Sequence, residues 1–218
     1  MSEQKTIALV TGATGVIAGA IAEALAATPD YEVVILARNE KKAQKTVARI
    51  QKATGNAAVR YLIADVSRRD SVQQASEAWD GRLNILVNAA GVAPRERNLT
   101  PEGIEETFAT NVLGYLRVTD AFAPFMKGEK LARIVNVASY WAGDLDLDDL
   151  EFERRPFHNH PAYRQSKQAN RMLSVIQAER LEPEGILLNS CHPGDPSSVL
   201  SRNLGFGSPE SAESAART

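Results

Sequence analysis

Tyr163-Arg164-Gln165-Ser166-Lys167 sets a phenol and an ammonium four residues apart, which puts both on one face if the segment is helical. A free tyrosine titrates near about 10, and each unit of depression requires about 1.4 kcal/mol in favour of the phenolate. A neighbouring ammonium and the charge of a bound cofactor are sources of such stabilisation, so the pair reads as an acid/base device that moves a proton to or from an oxygen near neutral pH. Taken singly, a Tyr-x-x-x-Lys pair also fits a structural tyrosine beside a surface lysine, and its meaning depends on its companions.

A second feature with chemical potential is Thr11-Gly12-Ala13-Thr14-Gly15-Val16-Ile17-Ala18, which follows an apolar run and opens a helical pattern. Glycine there permits a tight turn, and the backbone of Gly12, Thr14, Gly15, Val16 and Ile17 can approach the pyrophosphate of a dinucleotide at a helix N-terminus. The next β-rich run ends in Leu36-Ala37-Arg38-Asn39. No carboxylate stands where an NAD-preferring site grips the ribose hydroxyls, and Arg38 suits a 2′-phosphate, so NADP(H) is the expected cofactor. Lys41 and Lys42 either add to the positive field or form a solvated helix start.

The elements that must position these groups are legible as six apolar, β-rich runs: TIALVT from Thr6, EVVILA from Glu32, AVRYLIA from Ala58, LNILVN from Leu83, ARIVNVAS from Ala132 and GILLNSC from Gly185. Near-continuous apolar runs of this kind belong to strands covered on both faces. Between them, Ile17, Ile21 and Leu25, then Ala43, Val47 and Ile50, then Ile104, Phe108 and Val112 recur at helical spacing. Alternating strands and helices predict a Rossmann-type, doubly wound parallel α/β sheet of about six strands with helices on both faces and its ligand crevice at the carboxyl strand ends. Residues 1–218 read as one dinucleotide-binding and catalytic domain. Two stretches depart from the pattern, an acidic insert near 143–161, expected to flank the site as a solvated loop or short helix, and a Gly/Ser-rich tail from Asn203.

Composition narrows the classes. With 25 basic and 27 acidic residues and a net charge of −2, the chain lacks the electropositive footprint of a nucleic-acid binder. No apolar run is long enough to span a bilayer and MSEQKTIALV does not open as a leader peptide does, so a cytoplasmic location is the expectation. Cys191, the single cysteine, excludes an internal disulfide and reads as a core thiol. His158 and His160 lack a third ligand of clear spacing, and no metal is expected.

TGATGVIA, DV at Asp65, NAAG at Asn88, ATNVLG, NVAS, YRQSK and CHPG occur in this order over nearly the whole chain, which thereby resembles the short-chain dehydrogenase/reductase family, and within it the retinol-dehydrogenase-like and carbonyl-reductase-like branch. The resemblance implies that Asn111, Ser139, Tyr163 and Lys167 are the catalytic four. Ser139 would polarise the substrate oxygen, and Asn111 would hold a water in a proton relay to Lys167. It further implies that Asp65 and Val66 lie by the adenine and that Asn88, Ala89, Ala90 and Gly91 run along the adenosine side. Lys167 would bind the nicotinamide ribose, with Pro193, Gly194 and Ser198 beside the carboxamide. The glycine spacing, T-G-x-x-G-x-x-A, is closer to the nucleotide-sugar epimerase branch. Relatives usually continue through a further helix and a seventh strand, so the tail from Asn203 is expected to be either naturally short or a truncated end.

The function so implied is hydride transfer between NADP(H) and a small carbonyl or alcohol substrate. The substrate is expected to be apolar because Trp141, Phe152 and Phe157 fall near the predicted opening. A noncatalytic NADP-binding sensor and a nucleotide-sugar epimerase or dehydratase are the alternatives, and the choice between monomer and homo-oligomer stays open.

Overall fold

Leu9 and Val10 are both fully buried and belong to the cores on opposite faces of the first strand, as the two-residue period of a β-strand requires when both faces are covered. The computed structural model describes residues 5–207 and 210–217. Residues 1–4, where the leader reading begins, and Ser208, Pro209 and Thr218 of the tail lie outside the described residues.

The strands β1 (Thr6–Thr11), β2 (Tyr31–Ala37), β3 (Val59–Ile63), β4 (Ile85–Asn88), β5 (Arg133–Val137) and β6 (Leu187–Cys191) form one parallel sheet in the order β3-β2-β1-β4-β5-β6. No seventh strand joins β6 among the described residues. The order reverses between β1 and β4, the switch point at which open α/β sheets bind ligands. On one face Leu9, Val34, Leu36, Leu86 and Ile134 pack with α3 (Arg69–Glu77), α5 (Gly114–Phe122) and α6 (Asn159–Leu181); on the other, Val10, Ile35 and Val87 pack with α1 (Val16–Ala26) and α2 (Glu40–Thr54). Each such side chain contributes about 1.5–3 kcal/mol when fully buried. Asn39 starts α2 by accepting the Lys42 N–H at 3.0 Å, and Gly55 ends it in the left-handed conformation.

The segment before α5 departs from the expected periodicity. Ile104 precedes the first helical turn, α4 (Glu106–Phe108), and Ala109–Leu113 form a π turn before α5 resumes. The π turn carries Asn111, and Gly114, which follows the turn, lies so close to Val66 that a Cβ there would sit 3.1 Å from its side chain.

The insert is not the simple solvated loop its composition suggests. Asp149 is buried and accepts the backbone N–H groups of Glu153, Arg154 and Arg155, while the Gln165 amide of α6 donates to the Asp149 and Leu150 carbonyls. One carboxylate therefore folds the insert and one glutamine ties it to the helix bearing Tyr163. The described residues of the tail fold as well: α7 (Val199–Asn203) leads into it, α8 (Ala212–Ala215) packs against α1, and Glu210 accepts the Asp195 N–H at 2.7 Å.

Candidate active site

The carboxyl ends of β1, β2, β4 and β5 open into a crevice of about 930 Å³. Its lining includes Gly12, Thr14, Gly15, Val16 and Ile17 of the first turn, Arg38, Asp65 and Val66 after β2 and β3, and Ala89, Ala90 and Gly91 after β4. Pro193, Gly194 and Ser198 after β6 line it too, as do Ser139, Tyr163 and Lys167. Two expected residues do not line it. Asn88 is fully buried and its amide donates to Thr119 Oγ1 at 3.0 Å and Asn136 Oδ1 at 2.9 Å, so its side chain joins β4 to β5 and α5. Asn111 is likewise fully buried, with Nδ2 donating to the Val92 carbonyl and to Ser166 Oγ and Oδ1 accepting the Val92 N–H.

The first turn is built for close approach. Gly12 has φ +73°, and a Cβ on it would lie 2.7 Å from the Ala90 Cα. Thr11 Oγ1 accepts the N–H groups of Ala89 and Ala90, clamping the β4 turn to the β1 turn. That clamp was missed in the sequence, where Thr11 reads as the end of a strand. No side chain caps the N–H groups of α1, whose first residues line the crevice. Gly12→Ala is expected to cost about 2 kcal/mol or more, since a left-handed non-glycine residue alone costs about 1–2 kcal/mol. The melting temperature should then fall by about 4–8 °C, read by circular dichroism; an unchanged melt would mean that the turn relaxes freely.

Tyr163 and Lys167 occupy successive turns of α6, and Ser139, at the end of β5, lines the same crevice as both. Ser139 Oγ is itself fixed by the Trp141 N–H at 3.1 Å. The expected depression of Tyr163 is corrected by its surroundings. Burial pushes the phenol up to about 12, the nearby Ser139 hydroxyl opposes the rise, and Asp195 adds to it. Lys167 does not offset this because its ammonium stands 5.8 Å from the Tyr163 ring centroid and donates instead to the Val137 carbonyl at 2.7 Å and toward Tyr115 Oη at 3.4 Å. Burial lowers Lys167 to about 8.

Around the Tyr163 ring gather Ala93, Leu200, Leu204, Trp141 and Phe206, the last two stacked with centroids 4.8 Å apart. Phe152 and Phe157, expected at the opening, pack instead on each other within the insert, with Arg155 over the Phe152 ring. His192 lies edge-on to Tyr140, whose hydroxyl donates to Asp195 at 2.9 Å. Leu200, Leu204, Phe206 and Asp195 carried no signal in the sequence, because only the folded tail brings them to Tyr163.

A Rossmann-type sheet, a glycine turn at its switch point and a Ser-Tyr-Lys group in the same crevice define a class of dinucleotide-dependent oxidoreductases. The chain belongs to the short-chain dehydrogenase family, whose profile matches residues 6–205. It is 34% identical over 200 residues to a probable oxidoreductase of Streptomyces antibioticus, covering 90% of this chain and 66% of the relative. It is 30% identical to human retinol dehydrogenase 13, covering 80% of this chain and 54% of that protein. Among solved structures, a short-chain dehydrogenase from Sphingobium yanoikuyae in complex with NADPH superposes with a TM-score of 0.74 at 25% identity, covering 97% of this chain and 82% of that one. The chain thus spans between about half and two-thirds of those two curated relatives' length. No helix among the described residues is long and apolar enough to cross a membrane.

Proposed function

We propose that this protein is an NADP(H)-dependent carbonyl reductase, equally an alcohol dehydrogenase in reverse, and the observation that carries the reading is the convergence of Ser139, Tyr163 and Lys167 on the crevice that the glycine turn opens. The residues present fit the nucleotide. The uncapped α1 terminus and the Gly12 cradle suit a pyrophosphate, Arg38 a 2′-phosphate, and Asp65 with Val66 the adenine. Ala89, Ala90 and Gly91 suit the adenosine side, and Pro193, Gly194 and Ser198 the carboxamide. When bound, the reduced nicotinamide supplies the hydride, so that NADPH, a proton and a carbonyl become NADP+ and an alcohol.

The chain's own residues handle the oxygen. Ser139 donates a hydrogen bond to it, and Tyr163, which burial keeps protonated at neutral pH, gives it the proton. Burial, which disfavours the phenolate, keeps the proton on Tyr163 that the reduction needs. A cytosolic, reduced NADP(H) pool would drive the same direction. The apolar wall of Ala93, Leu200, Leu204, Phe206 and Trp141 supports an apolar carbonyl substrate, as does the name of the retinol dehydrogenase relative.

A panel of aldehydes and ketones monitored through NADPH absorbance tests this reading. Consumption of NADPH matched by alcohol is expected. Binding of NADPH with no turnover across the panel would favour a sensor, and a retained nucleotide that cycles without net consumption would favour an epimerase. Arg38→Ala is expected to weaken NADPH about 10–100-fold and NADH much less, because a charge-assisted contact to the 2′-phosphate is lost; equal losses in titrations of nucleotide fluorescence would show that Arg38 does not read the phosphate.

A further inference from the structure

Lys167 has three N–H donors and no acceptor, and it is almost fully buried. One donor reaches the Val137 carbonyl at 2.7 Å and another faces Tyr115 Oη at 3.4 Å. Tyr115, on α5, is buried too, and its hydroxyl donates to the same Val137 carbonyl at 3.1 Å, which leaves its lone pairs for the ammonium. The ring adds a cation–π contact, since Lys167 Nζ lies 5.2 Å from the Tyr115 centroid, closer than to that of Tyr163. Burial holds the Tyr115 phenol well above its ordinary range, so it meets Lys167 as a neutral acceptor.

Asn111, by contrast, has both amide N–H groups engaged, one on Val92 and one on Ser166, and its main-chain carbonyl accepts the Asn170 amide at 3.0 Å. The side chain that directly touches the Lys167 ammonium is therefore Tyr115, four residues further along.

We propose that Tyr115 is a positioning residue for Lys167, its hydroxyl and ring face holding the ammonium beside Tyr163, with one N–H left for a ribose hydroxyl or a proton-returning water. The assignment rests on the function proposed above. Tyr115 does not touch the reacting atoms and acts through the lysine. The titratable groups that bear on Lys167 are Tyr115 on α5, Tyr163 on α6 and Cys191 at the end of β6, with Asp195 acting on Tyr163.

Tyr115→Phe keeps the ring and removes the acceptor, and Tyr115→Leu removes both. The expected result is a fall in kcat of about tenfold for Phe and more for Leu, with KM for the carbonyl within about twofold. In parallel, the Lys167 side-chain titration, followed by 13C NMR at Cε, should move to lower pH, because the ammonium loses a stabilising oxygen. A Lys167 titration that stays where it is would overturn the proposal, whether kcat holds or falls through loosened packing. Should neither variant fold, the unsubstituted protein decides, since a nuclear Overhauser contact between the Lys167 ε-protons and the Tyr115 ring is expected and its absence would overturn the assignment. Neither NMR readout needs turnover, so an inactive parent protein would sink the reductase reading while leaving the Tyr115 contact measurable.

Discussion

Tyr163→Phe is expected to lower kcat for carbonyl reduction by about 10²–10⁴-fold while NADPH binding stays within a fewfold of the parent. The substitution removes one oxygen from a ring packed against Ala93 and Leu204, so the ring remains and the acid is lost. The Ser139 hydroxyl keeps the Trp141 N–H, which holds the end of β5 in place. Because burial keeps the phenol near about 12, the parent should show no loss of reductive kcat attributable to Tyr163 between pH 6 and roughly pH 10. In the oxidative direction, where the phenolate is needed, the rate should still climb with pH over that span. Single-turnover kinetics in both directions, beside a nucleotide titration, measure all of this. A Phe variant that retains a tenth or more of the parent rate would remove Tyr163 from the chemistry.

The parts of this picture that could be read in the sequence are those encoded by local pattern. Five of the six strands fall within their apolar runs and β2 starts one residue early, at Tyr31; the central strands, covered on both faces, leave the most continuous signature. Tyr163 and Lys167 share α6 because four-residue spacing needs only a helix. What could not be read depends on contacts between distant residues. Ile104, Phe108 and Val112 look like one helical face, yet the chain enters the helix only at Glu106 and passes through a π turn, where Asn111 bonds the Val92 backbone 19 residues away. Asp149 looks like one more solvated acid until three backbone N–H groups bury it. The upward shift of Tyr163 was hidden for the same reason: it comes from burial by distant residues, and although helical spacing brings Lys167 near, Val137 and Tyr115, from other elements, decide where its ammonium points.

That buried ammonium leads to the second large effect. Lys167→Met is expected to abolish measurable turnover and yet to stabilise the fold at pH 7. Burial lowers Lys167 to about 8 from the ordinary 10.5, a cost on the order of 3 kcal/mol in the charged form. A methionine of similar length removes that cost but forgoes the bonds to Val137 and Tyr115, and since Tyr115 still donates to the Val137 carbonyl, few polar atoms are orphaned. A net gain of about 1–2 kcal/mol follows, or about 3–6 °C in melting temperature. The pH dependence carries the sign. Below about 8 the lysine is charged in both folded and unfolded chains and the full cost is present. Between about 8 and 10.5 the folded protein releases the proton while the unfolded chain retains it, so the parent gains stability as pH rises, and the methionine variant, with nothing to titrate there, does not. Thermal melts at pH 7 and pH 9.5 should therefore show the advantage of the variant shrinking. A variant less stable than the parent at pH 7 would mean that the Val137 and Tyr115 contacts outweigh desolvation, and that the lysine is held there by favourable bonding rather than retained for chemistry against a folding cost.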